Sequence, residues 1–198
     1  MPSYHEVRLY LNGLWLLVKG NAQGFRLLDI SDRGITRSFW AYLWCLPAMA
    51  VSWNWMRLAF LRASPPEAKT GLGFFLRLAL IEAITWVIPL ILIAALCLLL
   101  GLARKFPAIV VAMNWLSVPF AYAAAVLMLG VTLLPALGHV FAILQMILLF
   151  AGVVCSSRIL RLICGPDALA VTAIVLLLFV PDWLLSVVLQ QYLDVALY

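Results

Sequence analysis

Apolar residues fall in long blocks along this chain, and polar residues fall in short groups between them. Five blocks stand out, at 38–56, 75–101, 107–130, 139–157 and 168–190. Each is near the roughly 20 residues that a helix needs to cross the hydrocarbon core of a bilayer. The separators are turn-forming or basic: Arg57, a stretch at 63–71 with two prolines and a glycine, Arg104-Lys105, Pro135 with Gly138, and Arg158, Arg161 and Gly165-Pro166-Asp167. Pro47, Pro89 and Pro181 lie inside blocks, where a lipid-embedded helix tolerates proline better than a soluble one does. The pattern predicts an all-α polytopic membrane protein with five transmembrane helices and tight turns. Four spans result if the first block is a re-entrant or interfacial element.

Before the blocks, residues 3–20 show a different period. Tyr4, Val7, Leu11, Leu14, Trp15 and Val18 recur at steps of three and four, while His5, Arg8, Asn12 and Lys19 lie mostly opposite. Ser3 with Glu6 three residues on forms a capping box, which satisfies unpaired amides at a helix start. This predicts an amphipathic helix at the membrane interface or packed on the protein's own membrane domain. Gly20, Asn21 and Gly24 end it, and Ser31 or Asp32 caps the next element. Three regions result: a cytoplasmic or interfacial N-terminal segment at 1–37, a transmembrane domain at 38–190, and a short tail at 191–198. The opening residues lack the layout of a secretory signal. The expectation is an uncleaved chain inserted by its first span.

Composition supports the membrane reading. The chain of 198 residues is 67% hydrophobic and 11% charged, too few polar residues to coat a water-soluble globule. The net charge of +5 lies between the apolar blocks, which points to topology and anionic headgroups rather than nucleic acid. With the N-terminus in the cytoplasm, the inner side holds nine of the 13 basic residues: Arg8, Lys19, Arg26, Arg33, Arg37, Arg104, Lys105, Arg158 and Arg161. Arg57, Arg62, Lys69 and Arg77 lie outside. The positive-inside rule therefore predicts an inward N-terminus and an outward C-terminus. Aromatic residues at both ends of the first block (Phe39, Trp40, Tyr42, Trp44, then Trp53 and Trp55) suggest interfacial belts.

Candidate chemistry is sparse. Asn54, Glu82, Gln145 and Asp182 fall at a similar depth, about 5–14 Å from the outer boundary at 1.5 Å of rise per residue. Ionisable residues inside spans usually face the bundle interior, paired or hydrated. One polar cluster centred on Glu82 and Asp182 is the sharp expectation. Against it, Glu82 is close enough to Arg77 to pair with it, and Asp182 could cap a helix restarted after Pro181. Asn114 is expected to bond a neighbouring helix. Ser117, Ala121 and Ala125, and Gly152 with Ser156, recur every four residues and predict close helix approach. His139 is a conceivable axial ligand for haem or a pigment, although a lone histidine there is usually just interfacial. Cys45, Cys97, Cys155 and Cys164 match no zinc spacing, so neither a metal nor a disulfide is expected. No phosphate loop, dinucleotide fingerprint or hydrolase motif occurs, and an enzyme is not expected.

The cytoplasmic N-terminal segment, five closely spaced spans and outward C-terminus, with Gly20-Asn21-Ala22-Gln23-Gly24-Phe25 leading into a Trp-rich first span, resemble the Yip family of small integral membrane proteins. Gly165-Pro166 is a two-residue echo of that family's short motifs. The resemblance implies a bacterial cytoplasmic membrane protein; for the eukaryotic relatives it implies membrane trafficking and shaping with small GTPases. It assigns no functional residue. The first functional expectation is a non-enzymatic scaffold, accessory or assembly subunit, or membrane organiser. It would need no cofactor beyond bound lipids, and its partners would be the bilayer, other membrane subunits or itself. The second is a transporter or channel for a proton, ion or small molecule, using Glu82 and Asp182. The third is a pigment- or haem-binding subunit using His139.

Overall fold

The structure is a computed structural model that describes residues 2–64 and 70–196; the core of the predicted loop, 65–69, lies outside the described residues. The described residues form seven α-helices: α1 (Tyr4–Val18), α2 (Asp32–Ser38), α3 (Trp40–Ala63), α4 (Leu72–Leu99), α5 (Phe106–Leu133), α6 (Gly138–Cys164) and α7 (Ala168–Tyr192). Short 3-10 turns at Ala22–Leu27, Ala103–Lys105 and Pro135–Leu137 join some of them. Four helices, α4 to α7, are long and apolar enough to cross a membrane. The first apolar block forms α3, which begins at Trp40, because Ser38 closes α2, and runs through Arg57 to Ala63 instead of ending at 56; it is long enough at 24 residues. Its tryptophans, Ser52, Asn54 and Arg57 dilute its hydropathy, and it does not join the four.

Local chemistry sets the helix ends. Ser3 closes its capping box, with the Glu6 amide donating to Ser3 Oγ at 3.3 Å and the Ser3 amide donating to Glu6 Oε2 at 2.7 Å. Of the two candidates for the second cap, Ser31 is the one used: its Oγ accepts from the Gly34 amide at 3.2 Å. Asp167 caps α7 through the Ala170 amide at 3.0 Å. Gly165, at φ +81°, ends α6 in a backbone conformation that side-chain-bearing residues rarely adopt. Basic side chains hold the opposite ends. Arg158 donates to the Val18 carbonyl at 3.1 Å, Lys105 to Cys164 at 2.9 Å and Arg77 to Leu193 at 2.9 Å. Each places a cation near the negative end of a helix.

The bundle has two ends. At the near end lie α1, α2, the start of α5 and the end of α6. At the far end lie the end of α3, the start of α4 and the end of α7. α1 lays Val7, Tyr10, Leu14 and Leu17 on α5 and α6, with the Tyr10 and Trp115 rings 5.0 Å apart. Its inward stripe therefore includes Tyr10 and Leu17. The predicted stripe members Tyr4 and Trp15 point outward, the latter beneath Lys19 Nζ at 4.8 Å. Of the two placements expected for this helix, packing on the bundle takes its apolar stripe. Gly13 and Gly24 let α1 touch the following turn backbone to backbone: a Cβ on Gly24 would run into the Gly13 carbonyl and Leu17. Arg37 closes the segment with an ion pair to Glu6 at 2.7 Å. The Ser3 backbone amide, and then the Arg37 guanidinium, hold the Glu6 carboxyl below its ordinary range.

The aromatic residues of the expected belt are half-buried, with Phe39 exposed. Tyr42 packs edge-on against Trp86 at 5.1 Å and donates to the Ala79 carbonyl at 3.4 Å. Trp44 and Trp53 pack against the core. α3 packs chiefly on α5, and these rings are half-buried, so part of each stays at the bundle surface. α7 runs unbroken through Pro181, so Asp182 does not cap a restarted helix.

Candidate functional site

Glu82 on α4 and Asp182 on α7 line one cavity of about 260 Å³. α3 contributes Ser52, Trp53, Trp55 and Met56, and α5 contributes Met128. Residues spaced by four place the polar groups on one stripe of α7: Asp182, Ser186 and Gln190, with Gln190 Nε2 donating to Ser186 Oγ at 2.8 Å. On α4, Thr85 follows Glu82 by one turn and donates to its backbone carbonyl at 3.3 Å.

Among the described residues, neither carboxylate has a cation partner. The ion pair formed is Arg37–Glu6 at the near end. Arg77, expected as a partner for Glu82, donates instead to the Leu193 carbonyl, and Arg57 donates to Thr70 Oγ1 at 2.7 Å. Both basic groups are held at the far rim, away from the acids.

Asp182 also lines a second, larger cavity of about 530 Å³ between α5, α6 and α7. Gln145 lies on this one, across from Asp182 but apart from Glu82. Asn54 is exposed on α3 and lines neither cavity. The four predicted residues thus separate into a carboxylate pair, an amide in the adjoining cavity, and Asn54 outside. Depth along a helix was legible; rotation about its axis was not, and rotation removes Asn54.

The small-residue stripes border both contacts and space. Ser117 Oγ meets Cys45 Sγ of α3 at 3.9 Å, and Ala125 is buried. Ser117, Ala121, Gly152 and Ser156 also line the larger cavity. Gly152 has ordinary spacing, its nearest neighbours being Phe120 and Phe179. The tight approach of α5 to α6 occurs at Gly130, where the Phe141 ring occupies the place of a Cβ. His139 is exposed at the start of α6, and no group of three metal-ligating side chains exists among the described residues. Cys45, Cys97 and Cys164 are buried and Cys155 is half-buried, all as free thiols.

Asn114 meets its expectation of bonding across helices and reaches further. It accepts from Trp86 Nε1 on α4 at 3.0 Å and donates to Ser38 Oγ on α2 at 2.9 Å. Ser38 in turn donates to the Ile35 carbonyl at 2.7 Å. This chain ties the N-terminal segment to the bundle. Ser38 and Trp86 were not foreseen; their partner is 76 and 28 residues away, and no local spacing signals such a contact.

Searches against protein-family models, curated proteins and solved structures give no match to this chain.

Proposed function

We propose that the protein is a membrane carrier that crosses the bilayer five times and binds a proton or other cation at Glu82 and Asp182. The observation that carries this reading is two carboxylates from different helices on one cavity, with no basic side chain paired to either among the described residues. A carboxylate inside a span is costly unless it is hydrated or paired, so an arrangement that leaves two of them free suits an exchangeable cation.

In this reading α3 is the fifth crossing. Its lower hydropathy is offset by packing along α5, which buries Ala41, Cys45, Ala48 and Met49. The near end faces the cytoplasm, following the nine-to-four division of basic residues. That arrangement agrees with the Yip-like layout of inward N-terminus and outward C-terminus.

An accessory-subunit role is the second reading. It is favoured by the far halves of α6 and α7, which carry no buried residues and present a face that another membrane subunit or a second copy would cover. Proteoliposomes separate the two. Proton flux, followed with an entrapped pH dye, is expected from the wild type and is expected to fall at least about tenfold in Asp182→Asn, a loss of about 1.4 kcal/mol or more. Absence of wild-type flux, with native mass spectrometry finding the chain in a larger complex, would replace the carrier by the subunit.

A further inference from the structure

Asp182, an exposed residue of α7, borders two cavities of different character. On one side, among Met56, Leu78, Ile81 and Met128, are Glu82, hydroxyls and the indoles of Trp53 and Trp55. On the other is a larger space whose lining is mostly Leu, Met, Phe and Ala. They measure about 260 and 530 Å³, and the larger falls within the range of roughly 300–1,000 Å³ seen for small-molecule sites. A proton or a metal ion needs only the first. The second suits an occupant with an apolar body.

One buried polar atom adds to this. Gln145 Oε1 is shut away without a hydrogen-bond partner among the described residues and lies on the apolar cavity. It is an acceptor, as both carboxylates are when ionised. Acceptors thus border Asp182 on both sides, Glu82 in one cavity and Gln145 in the other, and the indoles of Trp53 and Trp55 offer faces that attract cations.

Resting on the carrier reading, we infer that the site takes a lipophilic organic cation, with its charge at Asp182 and Glu82 and its apolar body between α5, α6 and α7. Charge complementarity fixes the head, and the apolar lining fixes the tail.

The test uses the full chain in mild detergent and two probes of similar shape: tetraphenylphosphonium, permanently charged, and triphenylphosphine oxide, uncharged. Binding is read by tryptophan fluorescence and calorimetry. Saturable binding of the cation is expected, weakened at least about tenfold in Asp182→Asn. Ala121→Phe, which fills the apolar cavity without altering a charge, should weaken it similarly. Gel filtration checks that each variant is folded, and Glu82→Gln carries the same test if Asp182→Asn is not. Equal binding of the uncharged probe, or full-strength cation binding in both carboxylate variants, would overturn the inference. Asp182-dependent proton flux without cation binding overturns this substrate class and leaves the carrier standing. Cation binding without any flux upholds the site and removes the carrier.

Discussion

The near and far halves of this bundle are built from similar residues and packed in opposite ways. In the near half, α5 is buried on every side from Ile109 to Leu116. In the far half, α6 buries nothing before Gly152 and α7 nothing after Ile174. The near half gains three extra packing elements: α1, its following turn and α2. The far half has only the chain after α7, where Val195 is fully buried beside Phe74, Leu78 and Ile81 of α4. The ionisable groups follow the same division. Within the helices that form the bundle wall, Glu82 and Asp182 sit where packing is loose enough to leave cavities. A free carboxylate and a closely packed apolar core exclude each other, since an unpaired buried charge is far more costly than an empty space. One half serves as a rigid base, and the other holds open the space in which chemistry is proposed.

Substitutions can break this contrast. The largest effect is expected from Trp115→Ala, because Trp115 is 1% exposed and touches Tyr10 across the helix interface. Its loss should cost about 3–5 kcal/mol. Phe150→Ala, at 66% exposure in the far half of α6, should stay within about 0.5 kcal/mol. Denaturant titration in detergent micelles compares the two; equal losses would mean that the halves do not differ in packing.

A middle-sized effect should follow Asn114→Leu. It strands the Trp86 N–H, and each orphaned buried polar group costs about 1–3 kcal/mol. It also releases Ser38, so hydrogen exchange should rise across α2 while α7 stays protected. Unchanged exchange in α2 would show that the network does not hold the N-terminal segment.

The smallest effect is expected at Glu6. Its carboxyl is held below the ordinary range by the Ser3 amide and Arg37. A depressed acid stabilises the fold above its unfolded value and loses that contribution as pH falls through the folded value. Glu6→Gln should therefore lower thermal stability slightly at pH 7, and the difference from wild type should vanish in strongly acidic buffer. A difference that grows on acidification would reverse the sign of this argument.

Much of this architecture is legible in the residues themselves. The existence and the starts of α4 to α7 follow from block lengths and from the Pro and Gly between them, because lipid demands long uninterrupted apolar helices; the end of α6 does not, since the helix runs through Arg158 and Arg161 to Cys164 instead of stopping at 157. The Ser3–Glu6 box marks the start of α1 to the residue. Membership in the acid-lined cavity was half legible: Glu82 and Asp182 announce themselves as charges in oil. The stripe Asp182, Ser186, Gln190 was present in the spacing but is easily overlooked, since serine and glutamine are common on many helix faces. What the sequence withheld was rotation and distant pairing. Asn54 shares the depth of the acids and faces away; Ser117 and Gly152 have the spacing of a helix contact and border a void. Trp44 and Trp53 suggest a headgroup belt, and the core contact that half of each ring makes has no local signal.

The contact between Arg158 and the Val18 carbonyl joins residues 140 positions apart. A ribosome adding about 5–20 residues per second finishes α1 on the order of ten seconds before it supplies that arginine. For most of this interval the nascent chain has made Val7, Leu14 and Leu17 but not the α5 and α6 surfaces that later receive them. The N-terminal segment therefore reaches its finished packing only when most of the chain has been made.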